Sequence, residues 1–187
     1  MTGKDVTRPA ATDQLPPWLP VRRRNRLDLE VYGESWRFFV TMASAGRRPW
    51  FLRQEVVTYC EGELRAACER ERFELVAYCF MPDHLHVLVA SDREGPDLIH
   101  LLRDFKQRTG WWFRNRYQAG GLKASPTTPA DRPFLWQKSY YDHVLRRDED
   151  VVDVVRYILE NPVRAGLVVE AVDYAYSWSL YGPPEPK

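Results

Sequence analysis

Residues 73–90 read "FELVAYCFMPDHLHVLVA". Two runs rich in aromatic and β-branched residues flank Pro82 and Asp83, the composition of two strands joined by a tight turn. Pro82 has no N–H to give a sheet ladder, so it belongs to the turn and not to either strand. The pattern therefore predicts a β-hairpin over 73–90. In its second strand His84 and His86 alternate with Leu85 and Val87. Successive strand side chains point to opposite faces, and two residues rise about 6.6 Å. His84 and His86 thus share one face, while Leu85 and Val87 take the other.

Working outward from the hairpin, "SWRFFVTMAS" at 35–44 suits a strand, and "AGRRP" follows as a turn. The stretch 51–72 places Leu52, Val56, Tyr59, Cys60, Leu64 and Cys68 near helical spacing, although Gly62 weakens its middle. After the hairpin, Gly95 and Pro96 open a second helix whose buried side carries Leu98, Leu101, Leu102, Phe105, Trp112 and Phe113. The segment 118–133 has loop chemistry, and 134–145, "FLWQKSYYDHVL", reads as another strand. Asp148 is the expected N-cap of a last helix that Pro162 ends, and an aromatic tail docks on the body. The order is strand, helix, strand, strand, helix, strand, helix. It predicts an α+β fold, a ferredoxin-like βαββαβ antiparallel sheet with helices on one or both faces and an added C-terminal tyrosine-bearing helix. In that topology the first and third strands are central, which makes the histidine strand a central one.

The chain has 187 residues, 44% hydrophobic and 13% aromatic, enough for one sizeable core. The expected division is a flexible arm at 1–21, a domain at 22–181 and a disordered tail at 182–187. A formal net charge of +1 argues for no anionic partner by itself, so only local clusters of cations can. Two exist: Arg22, Arg23, Arg24 and Arg26 in the arm, and Arg103, Lys106, Arg108, Arg114 and Arg116 on the outer side of the second helix, interleaved with Trp111 and Trp112. Either cluster could hold DNA phosphates, and either could be a plain solvated face. Three cysteines without CxxC spacing and without a secretory signal fit reduced thiols in a cytoplasmic protein. No apolar run approaches the roughly 20 residues of a membrane span.

Two imidazoles on one strand face can both reach one divalent ion, with a third ligand from elsewhere. A histidine on a strand is also commonly a hydrogen-bonded structural residue. Zinc would ask for further Cys or His in a recognisable spacing, and no convincing fourth ligand accompanies Cys79. In "YILEN", Tyr157 and Asn161 lie four apart and share a helix face. Asn161 can offer a neutral oxygen to a hard cation, and Tyr157 can act as a nucleophile. A tyrosine on an amphipathic helix is equally a core residue, and Asn before Pro a helix stop.

The segments "YCFMPDHLHVLV", "FKQRTG", "LWQKSYYDHVLR", "YILENPVRAGLV" and "DYAYSWSLY" together resemble the single-tyrosine HUH transposases, above all the REP-associated tyrosine transposases of bacteria. The resemblance runs in order from about Arg22 to Tyr181. It implies a metal-dependent endonuclease and strand transferase acting on single-stranded DNA, often beside a palindromic hairpin. On that resemblance His84 and His86 match the metal-binding pair, Tyr157 the nucleophile, and Asn161 the residue that completes coordination of Mg²⁺ or Mn²⁺. Many relatives carry Gln at the last position. A free tyrosine titrates near about 10 and a phosphodiester is anionic, so both need activation at neutral pH. A tyrosine nucleophile would leave a 5′-phosphotyrosyl link that conserves the bond for rejoining.

Two other classes compete. A His-triad nucleotide hydrolase needs a third alternating histidine, and position 88 is Leu. A domesticated hairpin-binding protein that does not cut would be expected to have lost Tyr157 or a histidine, and all three are present. The sequence leaves open a monomer or a homodimer that exchanges tyrosine helices.

Overall fold

The structure is a computed structural model that describes residues 36–93, 95–118, 134–145 and 150–182. The expected arm, Arg22, Arg23, Arg24 and Arg26, residues 119–133, Asp148 and residues 183–187 lie outside the described residues. Five strands form one antiparallel sheet: β1 (Trp36–Ala43), β2 (Glu74–Met81), β3 (His84–Ser91), β4 (Tyr141–Val144) and β5 (Ser177–Ser179), in the order β4-β1-β3-β2-β5. The three α-helices are α1 (Gln54–Glu71), α2 (Leu98–Gln118) and α3 (Val151–Arg164). The first four strands take the ferredoxin-like order with β1 and β3 central, as the sequence predicts, and β5 extends the sheet beyond β2. Met81 pairs with His84, so Pro82 and Asp83 are the whole hairpin loop.

The sheet is covered on both sides because its strands are apolar on both faces. Phe38, Val40, Met42, Tyr78, Phe80, Leu85 and Val87 pack against the inner sides of α1 and α2 in the larger core. Phe39, Ala77, Cys79, Met81, Leu88 and Ala90 pack against Val154, Val155, Ile158 and Leu159 of α3 in the smaller one. Burying a Leu, Val or Phe side chain contributes roughly 1.5–3 kcal/mol, so both layers are needed to offset ordering of the sheet. The ladder shifts register between Leu75 and Ala77, and Val76 and Ala77 both join the α3 side. All three cysteines are buried and unpaired by disulfides.

Four expectations change. The segment 134–145 is a strand only at Tyr141–Val144, with Trp136 forming an isolated bridge to Ser44. Upstream of β4, Lys106 Nζ donates to the carbonyls of Gln137 at 2.7 Å and Lys138 at 3.3 Å, and Trp136 Nε1 donates to Thr109 Oγ1 at 2.8 Å. Helix α2 thereby takes groups a longer ladder would use. Helix α3 is capped by Asp150, whose side chain accepts from Val152 N at 2.8 Å, rather than by the expected Asp148. Pro162 does not end α3, which continues to Arg164. Asn161 Nδ2 donates to the carbonyls of Tyr157 at 3.0 Å and Ile158 at 3.4 Å, which includes the carbonyl that Pro162 cannot serve. The docked tail proves to contribute a strand, β5, and not only an apolar cover.

Candidate active site

His84 and His86 sit on β3 facing α3, and their Nε2 atoms are 3.1 Å apart. Strand pairing fixes what lies beside them. His86 faces Thr41 across the ladder, and its Nδ1 is 2.8 Å from Thr41 Oγ1. His84 Nδ1 is 2.7 Å from Asp83 Oδ1, in the hairpin loop. Burial pushes the Asp83 carboxyl up, but the hydrogen bond from His84 and the charges of His84 and Arg47 outweigh it and hold the group below its ordinary value. An ionised carboxylate only accepts, so Nδ1–H of His84 donates to it. Nε2 of a neutral His84 then presents a lone pair toward His86.

This donor set suits a divalent cation. In the neutral pair without an ion, His86 Nε2–H donates to His84 Nε2, and Thr41 O–H donates to His86 Nδ1. A threonine hydroxyl both donates and accepts, so it supports the other tautomer equally well, with both Nε2 lone pairs directed at one point. At 3.1 Å the two Nε2 atoms are close enough for one divalent ion to be held by both. Among the described residues no cluster of three or more His, Cys, Asp or Glu completes a metal site. Asn161 is buried on α3, one turn beyond Tyr157, with its amide nitrogen donating to the helix carbonyls of Tyr157 and Ile158; a neutral amide oxygen is a donor a hard cation accepts.

Tyr157 is 8% exposed and belongs to the α3-side core, a placement it shares with ordinary core tyrosines. Its neighbours distinguish it. Its ring lies 5.9 Å from the ring of His86 and 5.9 Å from Phe39, both edge-on, and Phe39 stacks on His86 at 5.6 Å. The Arg164 guanidinium lies over the Tyr157 ring at 4.2 Å, and its Nη2 donates to the Tyr157 carbonyl at 3.0 Å. Burial, then the charges of His84, Arg164 and Arg47, hold His86 well below the usual histidine range, so it is neutral at pH 7. Two paired imidazoles, that of His86 neutral, a phenol beside them and a cation on that phenol are thus brought together by β3 and α3 of one chain.

Residues 35–161 match the sequence profile of IS200-like transposases, a span that contains His84, His86, Tyr157 and Asn161. The chain belongs to the IS200-like transposase family. It is 26% identical over 147 residues to the REP-associated tyrosine transposase of Escherichia coli (strain K12), covering 79% of this chain and 77% of that protein. A Haemophilus influenzae protein given the same name provisionally is 26% identical over 150 residues, 75% of this chain and 77% of its own. A solved REP-associated tyrosine transposase bound to a REP hairpin has the same fold, with a TM-score of 0.60 at 23% identity over 85% of this chain and 82% of that one.

In this IS200-like transposase the basic residues of α2 divide into two sets. Arg108 pairs with Asp104 at 2.8 Å and Arg116 with Glu55 at 3.0 Å, so both serve the α1–α2 surface. Arg103, Lys106 and Arg114 line a groove on another side of the helix. Trp112 stacks on Tyr59 at 4.1 Å, whereas Trp111 is 62% exposed. Sequence reasoning missed Thr41, Phe39 and Arg164 as members of the histidine–tyrosine cluster, and read Asp83 only as a turn residue. Asp83 had a signal, since it adjoins His84. Thr41 and Phe39 had none, because strand register decides which β1 residues stand beside His86. No described helix is long and apolar enough to cross a membrane.

Proposed function

We propose that this transposase cuts and rejoins single-stranded DNA beside palindromic hairpins, with Tyr157 as nucleophile and His84, His86 and Asn161 as ligands of Mg²⁺ or Mn²⁺. The observation that carries the reading is the 5.9 Å approach of Tyr157 to a histidine whose Nε2 is paired with that of His84. The REP hairpin named for a relative of like fold supports hairpin DNA as the partner.

A bound divalent ion would reduce the charge of the scissile phosphate and stabilise the departing oxygen. The chain's own residues do the rest. Asp83 and Thr41 orient the imidazoles, Phe39 fixes the angle between His86 and Tyr157, and Arg164 holds the phenol ring in place while supplying positive charge beside an incoming phosphate. Tyr157 Oη forms a bond to phosphorus and loses its proton, the bond from phosphorus to the 3′ oxygen breaks, and that oxygen takes up a proton. The 5′-phosphotyrosyl link then accepts attack by another 3′-hydroxyl, which restores the tyrosine.

The test is incubation of the purified chain with Mn²⁺ or Mg²⁺ and end-labelled oligonucleotides that carry palindromic hairpins. A denaturing gel is expected to show a covalent protein–DNA adduct that Tyr157→Phe abolishes. Hairpin binding without any adduct in either protein would favour a domesticated, non-cleaving binder instead.

A further inference from the structure

Among the described residues, Arg47 and Arg72 are the non-glycine residues with positive φ. Arg72 is the left-handed C-cap of α1, an ordinary place for that conformation. Arg47 ends no α-helix: it follows Gly46 in the turn after β1, at φ 51°. A residue with a Cβ is strained there, and such strain persists where the surroundings over-determine it. The surroundings here are hydrogen bonds. Arg47 N donates to the Ser44 carbonyl at 3.1 Å, the buried Ser44 Oγ to the Arg48 carbonyl at 2.7 Å, Ser44 N to the Asp83 carbonyl at 2.8 Å, and Phe51 N to the Pro82 carbonyl at 3.0 Å. The turn is thereby clasped onto the hairpin loop that carries Asp83.

The clasp aims Arg47 at the histidine end of the sheet. Its Nη1 stands 3.7 Å from Asp83 Oδ2, while Asp83 Oδ1 holds His84 at 2.7 Å. A contact of 3.7 Å is too long for a hydrogen bond, and the Arg47 side chain is 49% exposed, so its donors are open to an anion. Its charge is also felt at His86. Toward the hairpin loop β3 runs from Leu88, level with Phe39, through His86 to His84 and then Asp83. Tyr157 lies against Phe39 and His86 with Arg164 over its ring, at the inner end of this row, whereas Arg47 stands beyond the outer end. In an in-line displacement the attacking and departing oxygens lie on opposite sides of phosphorus. One arginine thus attends the nucleophile, and the other stands on the far side.

We propose that Arg47 is a further catalytic residue, whose guanidinium turns from Asp83 to the 3′ oxygen that departs from phosphorus. The proposal rests on the DNA-cutting reading. As Tyr157 Oη bonds to phosphorus, the bond from phosphorus to the 3′ oxygen breaks and its electron pair stays on that oxygen. The N–H donors of Arg47 hold the resulting charge until a proton arrives from water, because a guanidinium does not give up its own. The proton that Tyr157 releases to water balances the one taken up. In rejoining, the same donors receive the attacking 3′ oxygen. The left-handed turn keeps the cation at this end in advance of the reaction, where a donor aimed at developing charge is most effective.

The experiment times adduct formation by the full chain with Mn²⁺, in single turnover, on two hairpin oligonucleotides. They differ in one atom: at the cut position mapped with the ordinary strand, the second carries sulfur in place of the 3′ oxygen. A thiolate bears negative charge at far lower cost than an alkoxide, so the sulfur strand needs no donor on the departing side. Arg47→Asn suits the left-handed backbone and removes the charge. It is expected to slow cutting of the oxygen strand by roughly 100- to 1,000-fold, the usual loss of one such donor, and to cut the sulfur strand near the wild-type rate. Arg47→Lys keeps the charge and recovers part of the rate, and Arg48→Gln, next in the chain, leaves both rates unchanged. Calorimetric titration of DNA-free Arg47→Asn with Mn²⁺ is expected to give the wild-type affinity. Equal slowing of both strands, or no slowing of either, would overturn the proposal; equal slowing with weaker Mn²⁺ binding would make Arg47 a prop of Asp83 instead. Wild-type protein that forms no adduct with either strand refutes the cutting and the proposal with it, whereas adducts formed alongside any of the other failures refute the proposal alone.

Discussion

His84 and His86 meet Nε2 to Nε2 at 3.1 Å because each ring is held from behind, His84 by Asp83 at 2.7 Å and His86 by Thr41 at 2.8 Å. The loop and the neighbouring strand therefore set the geometry of the pair as much as the histidines do. Replacing the supports while keeping their shape tests this. Asp83→Asn and Thr41→Val are expected to weaken Mn²⁺ binding by roughly 10- to 100-fold, the usual effect of losing such a partner. Calorimetric titration of the DNA-free protein reads it directly, and unchanged affinity in both variants would remove the support role.

The buried His86 also gives the metal-free protein a pH dependence. Its folded value lies well below that of an ordinary histidine, by burial first and then by the charges of His84, Arg164 and Arg47. The unfolded chain takes up a proton near pH ~6.5 while the folded chain does not, so this stability is complete above ~6.5 and is lost as pH falls below it. The slope approaches ~1.4 kcal/mol per pH unit for one such group. Urea unfolding in the presence of chelator at a series of pH values is expected to show that decline, and His86→Asn to flatten it.

Arg164 sits 4.2 Å over the Tyr157 ring and also donates to its carbonyl. A cation–π contact is worth roughly 0.5–2 kcal/mol. Arg164→Gln is therefore expected to slow adduct formation by roughly 2- to 30-fold, while Arg164→Lys recovers part of the rate. Single-turnover kinetics on saturating hairpin DNA separates this from weaker binding, which would show in Kd and not in the rate constant.

Gly62 lies inside α1, and an added Cβ would meet nothing within 4 Å. Gly62→Ala removes unfolded-state freedom without a clash and is expected to stabilise the protein by roughly 0.5–1 kcal/mol. A denaturant midpoint that rises with an unchanged slope would confirm that the gain is in stability alone.

Much of the architecture was legible because periodicity reports it. The Pro82-Asp83 turn, the face shared by His84 and His86, the central place of their strand and the apolar sides of α1 and α2 all follow from alternation or helical spacing. What escaped depends on contacts distant in sequence. The carbonyls of Gln137 and Lys138 are held on α2 by Lys106 and the Trp136 indole by Thr109, and nothing local to that stretch foretells it. Pro162 stays within α3 because Asn161 and Arg164 supply donors to the carbonyls of its last turns. The same dependence hides Thr41 and Phe39, whose place beside His86 is a matter of register.

The two ends of α3 lead to opposite margins of the sheet. Its N-terminal side follows β4, next to β1, and its C-terminal side leads to β5, which pairs with β2 and is fastened by Phe80 N to the Tyr176 carbonyl at 2.9 Å and Tyr174 Oη to the Phe80 carbonyl at 2.7 Å. The helix is thus a strap buckled on both sides. The small strand β5 is therefore one of the two fastenings that keep Tyr157 beside His86 of its own chain.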